Sequence, residues 1–358
     1  MPVREFVRSD IPQVADLYWN FMAPRQSAAP ADLPDSFAEL YFSNPLVEKA
    51  SPSFVYEDGS GQILGFFGTT CRKMSLSGQL IRVGFAANFV VHPKARSGVA
   101  SQPLLNAYMA GNHDLLMTDS ANDISRRIME RLGFQVIYPL NLHWLRPLRP
   151  SHYAAYLVSR KLNPTSFATF RLATKPFCMV ADGVLSWLTP AKSRLTGTEM
   201  SPEMLMECFV ESRKGYSLWP EYDLESLEWL LSYMQRRGRR GNHRRVAVRD
   251  ENHKILGWYI YYVRPRAVAE VVQVGGGPKF SKEIIGHLLR DAWEQGAIAI
   301  NGLADYGRMA DLSDAGCLFT CRGGWTLAYS RRPELIEILQ RGQGLVSRLD
   351  GEWCLDPG

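Results

Sequence analysis

Two stretches of the chain repeat the same order of polar and apolar residues. Residues 57–66 read EDGSGQILGF and residues 249–258 read RDENHKILGW, so in both an Asp lies seven residues before the Gly of Ile-Leu-Gly-aromatic. A polar turn between two apolar runs predicts a β-hairpin. Because the same hairpin is predicted twice, far apart along the chain, the sequence indicates an internal repeat.

A second pair of matching segments follows further along each copy. Asn122 precedes Gly133 by eleven residues, and Asp305 precedes Gly316 by the same eleven. Apolar residues recur at helical spacing in both intervals, and Gly is the residue that most often ends a helix in the left-handed conformation. We therefore predict a helix in each interval, and with it two related domains of which the second is shortened.

The length of the chain agrees with this division. A chain of 358 residues is long enough for two domains of ordinary size. We predict a first domain at residues 1–150, a helical connection at 151–202 and a second domain at 203–358. The connection contains too many aromatic residues for a disordered linker.

Composition excludes several classes of protein. With 46% hydrophobic and 22% charged residues, the chain is neither disordered, collagen-like nor a coiled coil. Its six cysteines are scattered and form no CxxC pair, so we expect the reduced thiols of a cytoplasmic protein and no bound metal. The first residues have no apolar signal core, and the most apolar interior stretch is interrupted by charges. We therefore expect neither a secretion signal nor a membrane span.

Positive charge is concentrated in one segment. The net charge is only +5, but six arginines lie within residues 236–245. Such a run could contact nucleic acid or an anionic membrane surface. Because it contains no interleaved aromatic residues, we favour a solvated loop and do not expect a nucleic-acid partner.

The chemistry of the first copy centres on a buried strand and the loop after it. Residues 85–91 (FAANFVV) form a nearly continuous apolar run, typical of a strand buried on both faces, and Pro93 ends it. Small residues follow at 95–101, before residues at helical spacing. A strand, a small-residue loop and a helix N-terminus direct several backbone N–H groups at one point, which predicts an anion site, most plausibly for a phosphate or pyrophosphate.

The order of these segments resembles the GCN5-related N-acetyltransferase (GNAT) family over residues 3–145. The family's loop pattern, Gln/Arg-x-x-Gly-x-Gly/Ala, aligns with residues 95–100, where Gly98 and Ala100 match and Ala95 does not. Over residues 205–330 only the hairpin and the late helix are similar. The resemblance implies an α/β (α+β mixed sheet) fold, with a central mixed β-sheet flanked by helices in each of two domains.

The resemblance also implies a cofactor and its site. In the family, the pyrophosphate of acetyl-CoA rests on the loop amides, and pantetheine lies between two parallel strands that separate, here 85–91 and 115–118. A backbone N–H there polarises the thioester carbonyl. The residues that the resemblance assigns to acetyl-CoA are Phe89, Val90, Val91, Arg96, Ser97, Gly98, Val99, Ala100, Ser101 and Asn122.

The proton-transfer groups stay open. Many family members have a Tyr seven residues after the Asn, to protonate the leaving thiolate, but this chain has Met129, which cannot donate a proton. Tyr138 is our candidate acid and Ser125 an alternative, or the thiolate leaves unprotonated. Asn88, in an otherwise apolar strand, is our candidate for holding the amine, and a hydrogen-bonded core amide is the equal alternative.

The resemblance therefore implies a CoA-dependent N-acyltransferase that moves an acetyl or another short acyl group to a small-molecule or peptide amine. In the second copy Asp305 stands where Asn122 stands in the first. A carboxylate repels a phosphate-bearing ligand, so we expect this domain to have lost CoA binding and to supply acceptor contacts or a homodimer surface. Two other functions stay open: a Fem-type transferase that takes an aminoacyl group from tRNA, and a CoA-binding module without turnover.

Overall fold

The computed structural model describes most of the chain. The described residues are 2–22, 29–46, 51–96, 98–160, 174, 177–178, 180–184, 189–236, 240–321 and 324–355. Their helices are α1 (Ile11–Phe21), α2 (Leu33–Ala38), α3 (Ser101–Met109), α4 (Asp123–Arg131), α5 (Pro150–Ser159), α6 (Pro202–Ser212), α7 (Leu224–Arg236), α8 (Ser281–Glu294), α9 (Met309–Asp314), α10 (Pro333–Gln340) and α11 (Glu352–Leu355).

The strands alternate with these helices. They are β1 (Val3–Glu5), β2 (Phe54–Glu57), β3 (Ile63–Leu76), β4 (Gln79–Val91), β5 (Leu115–Ala121), β6 (Gln135–Val136), β7 (His143–Pro147), β8 (Thr196–Glu199), β9 (Leu218–Pro220), β10 (Asn242–Arg249), β11 (Ile255–Val263), β12 (Val268–Gly276), β13 (Ala299–Leu303), β14 (Leu318–Thr320) and β15 (Trp325–Tyr329). The predicted mixed α/β class is confirmed.

The chain forms two compact units, neither of which is contiguous in sequence. Unit 1 consists of Met1–Asn141, Gly215–Arg237 and Gly323–Gly358, and unit 2 consists of Leu142–Lys214 and Gly238–Arg322. These bounds differ from the contiguous ones expected from the sequence. The reason is strand pairing, because β15 belongs to the sheet of unit 1 and β7 belongs to the sheet of unit 2.

Among the described residues, each unit contains one mixed sheet with one parallel strand pair near its middle. The sheet of unit 1 has the order β1-β2-β3-β4-β5-β15-β6, with β9 paired to β3, and β4 runs parallel to β5. The sheet of unit 2 has the order β14-β7-β13-β12-β11-β10-β8, and β12 runs parallel to β13. Antiparallel and parallel strand pairings follow one another in the same order across both sheets, apart from the edges.

The two predicted hairpins are present, and their turns use the same hydrogen bonds. In the β2–β3 turn, Asp58 Oδ1 accepts the N–H groups of Ser60 at 2.8 Å and Gln62 at 3.1 Å. In the β10–β11 turn, Asp250 Oδ1 accepts the N–H groups two and four residues further on, both at 2.9 Å. An Asp whose side chain accepts hydrogen bonds from backbone N–H groups a few residues further along the chain stabilises such a turn. The repeated sequence thus encodes a repeated local structure.

The helices cover the apolar faces of both sheets. In unit 1, Leu104 and Tyr108 of α3 pack with Phe67 and Leu116 in one buried cluster. In unit 2, Ile284 and Leu288 of α8 are in the corresponding cluster. Within the described residues, no helix is both long and apolar enough to cross a membrane.

The arginine-rich segment is partly regular structure. It begins at the end of α7, and its last part, from Asn242, belongs to β10; residues 237–239 lie outside the described residues. The described arginines of the segment pair with carboxylates: Arg236 with Glu39, Arg240 with Glu270 at 3.7 Å, Arg244 with Asp291 at 3.1 Å and Arg245 with Glu199 at 3.4 Å. The expectation of a solvated loop is wrong for the part in β10. Pairing with β11 gives Arg244 and Arg245 a regular strand backbone, and their ion pairs with carboxylates offset their positive charge.

Candidate functional site

The sheet of unit 1 opens between its two parallel strands. β4 and β5 are paired at Val83–Phe85 with Leu115–Met117. Beyond these three positions β4 continues to Val91 and β5 continues to Ala121, with no further pairing between them among the described residues. β4 stays paired with β3, and β5 stays paired with β15. The gap therefore lies inside the sheet, with backbone groups of both strands along its sides.

A hydroxyl group from α3 holds the two strands together just before they separate. Tyr108 is 1% exposed, and its Oη donates to Gly84 O at 2.7 Å on β4 and to Met117 O at 3.1 Å on β5. One hydroxyl proton shared by two carbonyl groups fixes the spacing of the strands at this end. The separation thus starts at a defined point.

β4 has a bulge at Asn88, beyond the last residue that pairs with β5. Phe66 pairs with Val90 and Gly68 pairs with Ala87, so two residues of β4 lie opposite one of β3. Asn88 has φ +57°, a left-handed conformation that Asn tolerates better than most residues. A bulge bends the strand that carries it and interrupts its pairing. The sequence feature singled out as unusual, an Asn inside an apolar strand, is therefore the residue at which β4 bulges beside the gap.

The side chain of Asn88 points into the core. It is 2% exposed, and its Nδ2 donates to Tyr41 Oη at 2.7 Å. This hydrogen bond agrees with the alternative given above, in which the Asn88 side chain is a hydrogen-bonded amide of the core. The backbone N–H of Asn88 has a different environment: it donates to Glu352 Oε1 at 2.6 Å. The same carboxylate accepts the hydroxyl of Ser120 on β5, so the Asn88 N–H points across the gap.

Glu352 begins the short helix α11, which is bound to the edge of the gap. Asp119 of β5 accepts the N–H groups of Glu352 at 3.0 Å and Trp353 at 3.3 Å. A carboxylate at a helix N-terminus is a favourable cap. Burial raises the pKa of Asp119 to about 6. Sequence reasoning missed Glu352, because it lies 264 residues from Asn88 along the chain and no motif marks it.

A buried network holds the segment that leads into α11. Arg72 of β3 donates through Nε to Asp350 O at 3.0 Å and through Nη2 to Leu349 O at 3.2 Å. The Asp350 side chain accepts the hydroxyl of Tyr222 and, through Oδ2, the N–H of Ser347 at 2.7 Å. Burial raises the pKa of Asp350. The position of Glu352 is therefore determined by contacts on both sides of the gap and before the helix.

The loop predicted to bind an anion follows β4 directly. Gly98 has φ +89°, which favours glycine, and its N–H donates to Arg96 O at 2.8 Å. The N–H of Ala100 donates to Ala95 O at 3.3 Å. Two loop amides thus have acceptors within the loop, which reduces the number of the several N–H groups expected to be available to a ligand. Ser97 lies outside the described residues.

The N-terminus of α3 is the stronger anion-binding feature. Its N-cap residue is Ala100, whose side chain cannot cap the helix, and no described side chain caps it instead. The N–H groups of Val99, Ser101 and Gln102 donate to no backbone acceptor among the described residues. Arg96 donates through Nε to Val91 O at 3.1 Å and adds a cation at the end of β4. An uncapped helix N-terminus beside a cation favours an anion.

Solved structures with this architecture exist. A conserved Enterococcus faecalis V583 protein of unknown function, described as a probable N-acyltransferase, has a TM-score of 0.60 at 10% identity, covering 91% of this chain and 71% of that one. A GCN5-related N-acetyltransferase from Anabaena variabilis has a TM-score of 0.58 at 8% identity, with 92% and 73% covered. Saccharomyces cerevisiae N-myristoyltransferase with bound myristoyl-CoA has 0.56 at 12%, with 91% and 77% covered.

The chain has the GNAT fold. At these identities the likeness shows the fold alone, and function has to be argued from the site. Neither the comparison with protein-family models nor that with curated proteins gives a match.

In this GNAT fold, Asn122 acts as a helix cap. Its Oδ1 accepts the N–H groups of Ile124 at 3.0 Å and Ser125 at 2.9 Å at the start of α4. The equivalent Asp305 of unit 2 accepts the N–H of Gly307 at 3.0 Å. The repeated spacing that we found in the sequence therefore encodes a repeated cap. The side-chain NH2 group of Asn122 is the part that a ligand could still contact.

The predicted acid of the GNAT site is not at the gap. Tyr138 is 66% exposed on a turn after β6, and β15 lies between β6 and β5. Two strand spacings, roughly 10 Å, thus separate β6 from β5. Met129 is 2% exposed in the core cluster of unit 1. Of the predicted residues, the structure brings together Asn88, Phe89–Val91 and the loop, and it leaves Tyr138 outside.

Proposed function

We propose that the protein is a CoA-dependent N-acyltransferase whose active site is the gap between β4 and β5. The pyrophosphate of acyl-CoA would rest at the N-terminus of α3 and on the loop from Arg96 to Ser101, with pantetheine in the gap beside Asn122 and the thioester at Phe89–Val91. The observation that carries the proposal is an uncapped helix N-terminus in the segment that follows β4, a strand that separates from β5 beyond Phe85 and bulges at Asn88. We keep acetyl, or another short acyl group, as the group transferred.

The proposed site can perform the reaction with backbone groups. An amine attacks the thioester carbon, and the carbonyl oxygen gains negative charge in the transition state. A fixed N–H donor from Phe89–Val91 would stabilise that charge by a few kcal/mol. The carbon–sulfur bond then breaks, and the CoA thiolate leaves. A free thiol has a pKa near 8.5, so the thiolate is a leaving group that can depart without an acid at position 129.

Unit 2 supports a single site per chain. In unit 2, Arg308 lies just after β13, and its Nη2 donates to Gly276 O at 2.8 Å, at the end of β12. The guanidinium is buried, and its Nε lies 3.2 Å from Asp305. A side chain of the protein thus spans the ends of the two strands that correspond to β4 and β5. We propose that unit 2 does not bind CoA and that it supplies acceptor contacts or a homodimer surface.

The test is isothermal titration of the full chain with acetyl-CoA, comparing wild type with Gln102→Glu. Gln102 is exposed in the first turn of α3, so the variant keeps the shape of the side chain and adds one negative charge. That charge suits the helix N-terminus but repels a pyrophosphate bound there. We expect affinity to fall about tenfold or more at physiological ionic strength, where screening weakens the effect of charges that lie farther away. Unlike a change at Gly98, this substitution requires no strained backbone.

The matched control is Asn106→Asp, which adds the same charge one turn later on an exposed position of α3. The affinity of Asn106→Asp for acetyl-CoA should stay within about twofold of wild type, since the added charge lies farther from the N-terminus of α3. Equal loss in both variants would indicate a general charge effect. If wild type binds neither acetyl-CoA nor myristoyl-CoA, the proposal fails. If wild type binds, an amine screen with thiol detection distinguishes an enzyme from a CoA-binding module.

The tRNA-dependent alternative has less support from the described residues. The described arginines of the segment that it would need, Arg236, Arg240, Arg244 and Arg245, are paired with carboxylates. Binding of tRNA should then be weak and should show a small dependence on salt, because few phosphate contacts are made. A steep loss of tRNA affinity between 50 and 200 mM salt, together with no acyl-CoA binding, would favour the Fem-type reaction. We also propose a cytoplasmic protein, on the cysteine pattern of the sequence.

A further inference from the structure

We propose that Glu352 is a catalytic residue of the acceptor site, whose carboxylate receives a cationic primary amine and takes the proton that the amine must lose before attack. The inference rests on the proposed function and adds to it the class of acceptor and the base. No sequence pattern points to Glu352. Its assignment comes from two hydrogen bonds, to Asn88 N–H on β4 and to Ser120 Oγ on β5.

The carboxylate lies at the place where an amine must approach. The thioester of the proposed complex is at Phe89–Val91, which follow Asn88 directly. Neighbouring residues of a strand are about 3.3 Å apart. Oε1 of Glu352 is 2.6 Å from the Asn88 nitrogen, so an amine bonded to this carboxylate would be close to the carbonyl carbon. The oxyanion would use an N–H group further along β4, and the Asn88–Glu352 bond would be kept.

The hydrogen bonds from Asn88 N–H and Ser120 Oγ come from uncharged donors, so these two bonds do not neutralise the negative charge of the Glu352 carboxylate. An ammonium group adds a charge-assisted bond, which is roughly twice as strong as a neutral one. The charged group that faces Glu352 from β5 is Asp119, and on its own segment Arg348 stacks on Trp353, with its Cζ 4.7 Å from the ring centroid. The negative charge of the Glu352 carboxylate favours a cationic acceptor.

The helix is held firmly enough for a base to be aimed. Asp119 accepts the first two N–H groups of α11. Arg72 donates to the carbonyl groups of Leu349 and Asp350 in the segment that precedes the helix. Gly351 has no room for a larger side chain, because a Cβ there would collide with the Asp119 carboxylate. A catalytic group that is fixed by supporting contacts needs little reorganisation during the reaction.

Protons and bonds balance in the proposed step. Glu352 takes one proton from the ammonium group, and the nitrogen lone pair forms a bond to the thioester carbon. When the carbon–sulfur bond breaks, its electron pair stays on sulfur. The second proton that nitrogen loses goes to sulfur, which gives the CoA thiol and the amide. Glu352 then releases its proton to solvent.

The test compares wild type, Glu352→Gln, Glu352→Asp and the control Glu337→Gln, which removes an exposed carboxylate of α10. Gln keeps an oxygen for Asn88 N–H and offers an NH2 group to Ser120, so the fold and acetyl-CoA affinity should be unchanged. For the best amine of the screen, kcat/KM should fall about 100-fold or more. In wild type, kcat/KM should decrease at acidic pH as Glu352 is protonated and should level off once Glu352 is ionised. In Glu352→Gln this plateau should be absent, and the rate should rise about tenfold per pH unit up to the pKa of the amine, since only the unprotonated amine reacts.

The outcomes separate the two proposals. If wild type fails to bind acyl-CoA, the proposed function fails. If wild type turns over and Glu352→Gln shows the same kcat/KM and pH profile, the base assignment is wrong and the function stands. A faster Glu352→Gln enzyme also overturns the assignment, because it would make Glu352 an occluding group. Glu352→Asp should keep the acidic limb of the profile at a reduced rate, a result that loss of structure alone would not produce.

Discussion

The hydroxyl group of Tyr41 occupies the space that a Cβ atom on Gly68 would need, so Gly68 is what allows Tyr41 to reach Asn88. The carbonyl oxygen of Ala87 is close to the same space. Because Asn88 forms the bulge of β4 and donates to this hydroxyl, a missing side chain on β3 supports the gap between β4 and β5. The relationship connects core packing with the shape of the candidate site.

We expect Gly68→Ala to destabilise the protein by about 2 kcal/mol, since an added methyl group in a packed core forces its neighbours to move. The hydrogen bond from Asn88 to Tyr41 should be lost as well. Urea unfolding measures the stability, and titration measures acetyl-CoA affinity, which should fall with it. Gly59→Ala is the control, because nothing lies within 4 Å of a Cβ at that position. Equal effects of the two changes would contradict the role of Gly68.

Asn122→Asp separates the two roles of Asn122. Asp caps helices as well as Asn does, so the bonds to Ile124 N–H and Ser125 N–H should be kept. The substitution replaces the NH2 group by an oxygen with negative charge. If Asn122 contacts acyl-CoA, we expect the affinity to fall about tenfold or more with the thermal midpoint unchanged.

A pure capping role would give a different result for Asn122. Asn122→Asp would then bind acyl-CoA like wild type. Asn122→Ala would lower stability by about 1 kcal/mol through loss of the cap. Measuring both variants by titration and by thermal unfolding distinguishes the roles, and the presence of Asp305 at the equivalent place in unit 2 shows that the fold tolerates an Asp cap.

Local signals in the sequence predicted local structure. The Asp58 and Asp250 turns and the cap at Asn122 depend on neighbours within a few residues, and the structure contains all of them. The contact of Glu352 with Asn88 and the pairing of β15 with β5 connect residues that are far apart in sequence. Such partners are chosen by the packed fold, and no periodicity or spacing encodes them. This is why the non-contiguous composition of the two units and the contact of α11 with β4 could not be read from the chain.

Asp119 should make stability depend on pH. Its pKa is about 6 in the folded protein, against an ordinary value of about 3.9. The folded state therefore holds this proton more tightly than the unfolded state, and the contribution of Asp119 to stability falls as pH rises from about 4 to about 6. Asp119→Asn cannot ionise, so the difference in unfolding free energy, wild type minus variant, should fall by about 1 to 3 kcal/mol over that range.

Urea unfolding of both proteins at pH 4.0, 5.0, 6.0 and 7.0 checks this expectation for Asp119. Other buried acids, such as Asp350, are present in both proteins, and their effects cancel in the difference. A constant difference, or one that rises with pH, would show that the hydrogen bonds from α11 outweigh burial and keep the pKa of Asp119 low.

The core of unit 2 contains a polar cluster around Asp291, which accepts hydrogen bonds from Tyr261 Oη at 2.7 Å and Tyr259 Oη at 3.2 Å and pairs with Arg244 at 3.1 Å. Asp291→Ala removes the acceptor and leaves a half-buried cation, so we expect a loss of about 3 kcal/mol. Tyr261→Phe removes one hydrogen bond and should cost about 1 kcal/mol. Asp291→Asn should lie between them, because it keeps an acceptor and loses the charge. If Asp291→Ala proves no less stable than Tyr261→Phe in urea, the cluster does not stabilise unit 2, and its place in the core would need a functional reason.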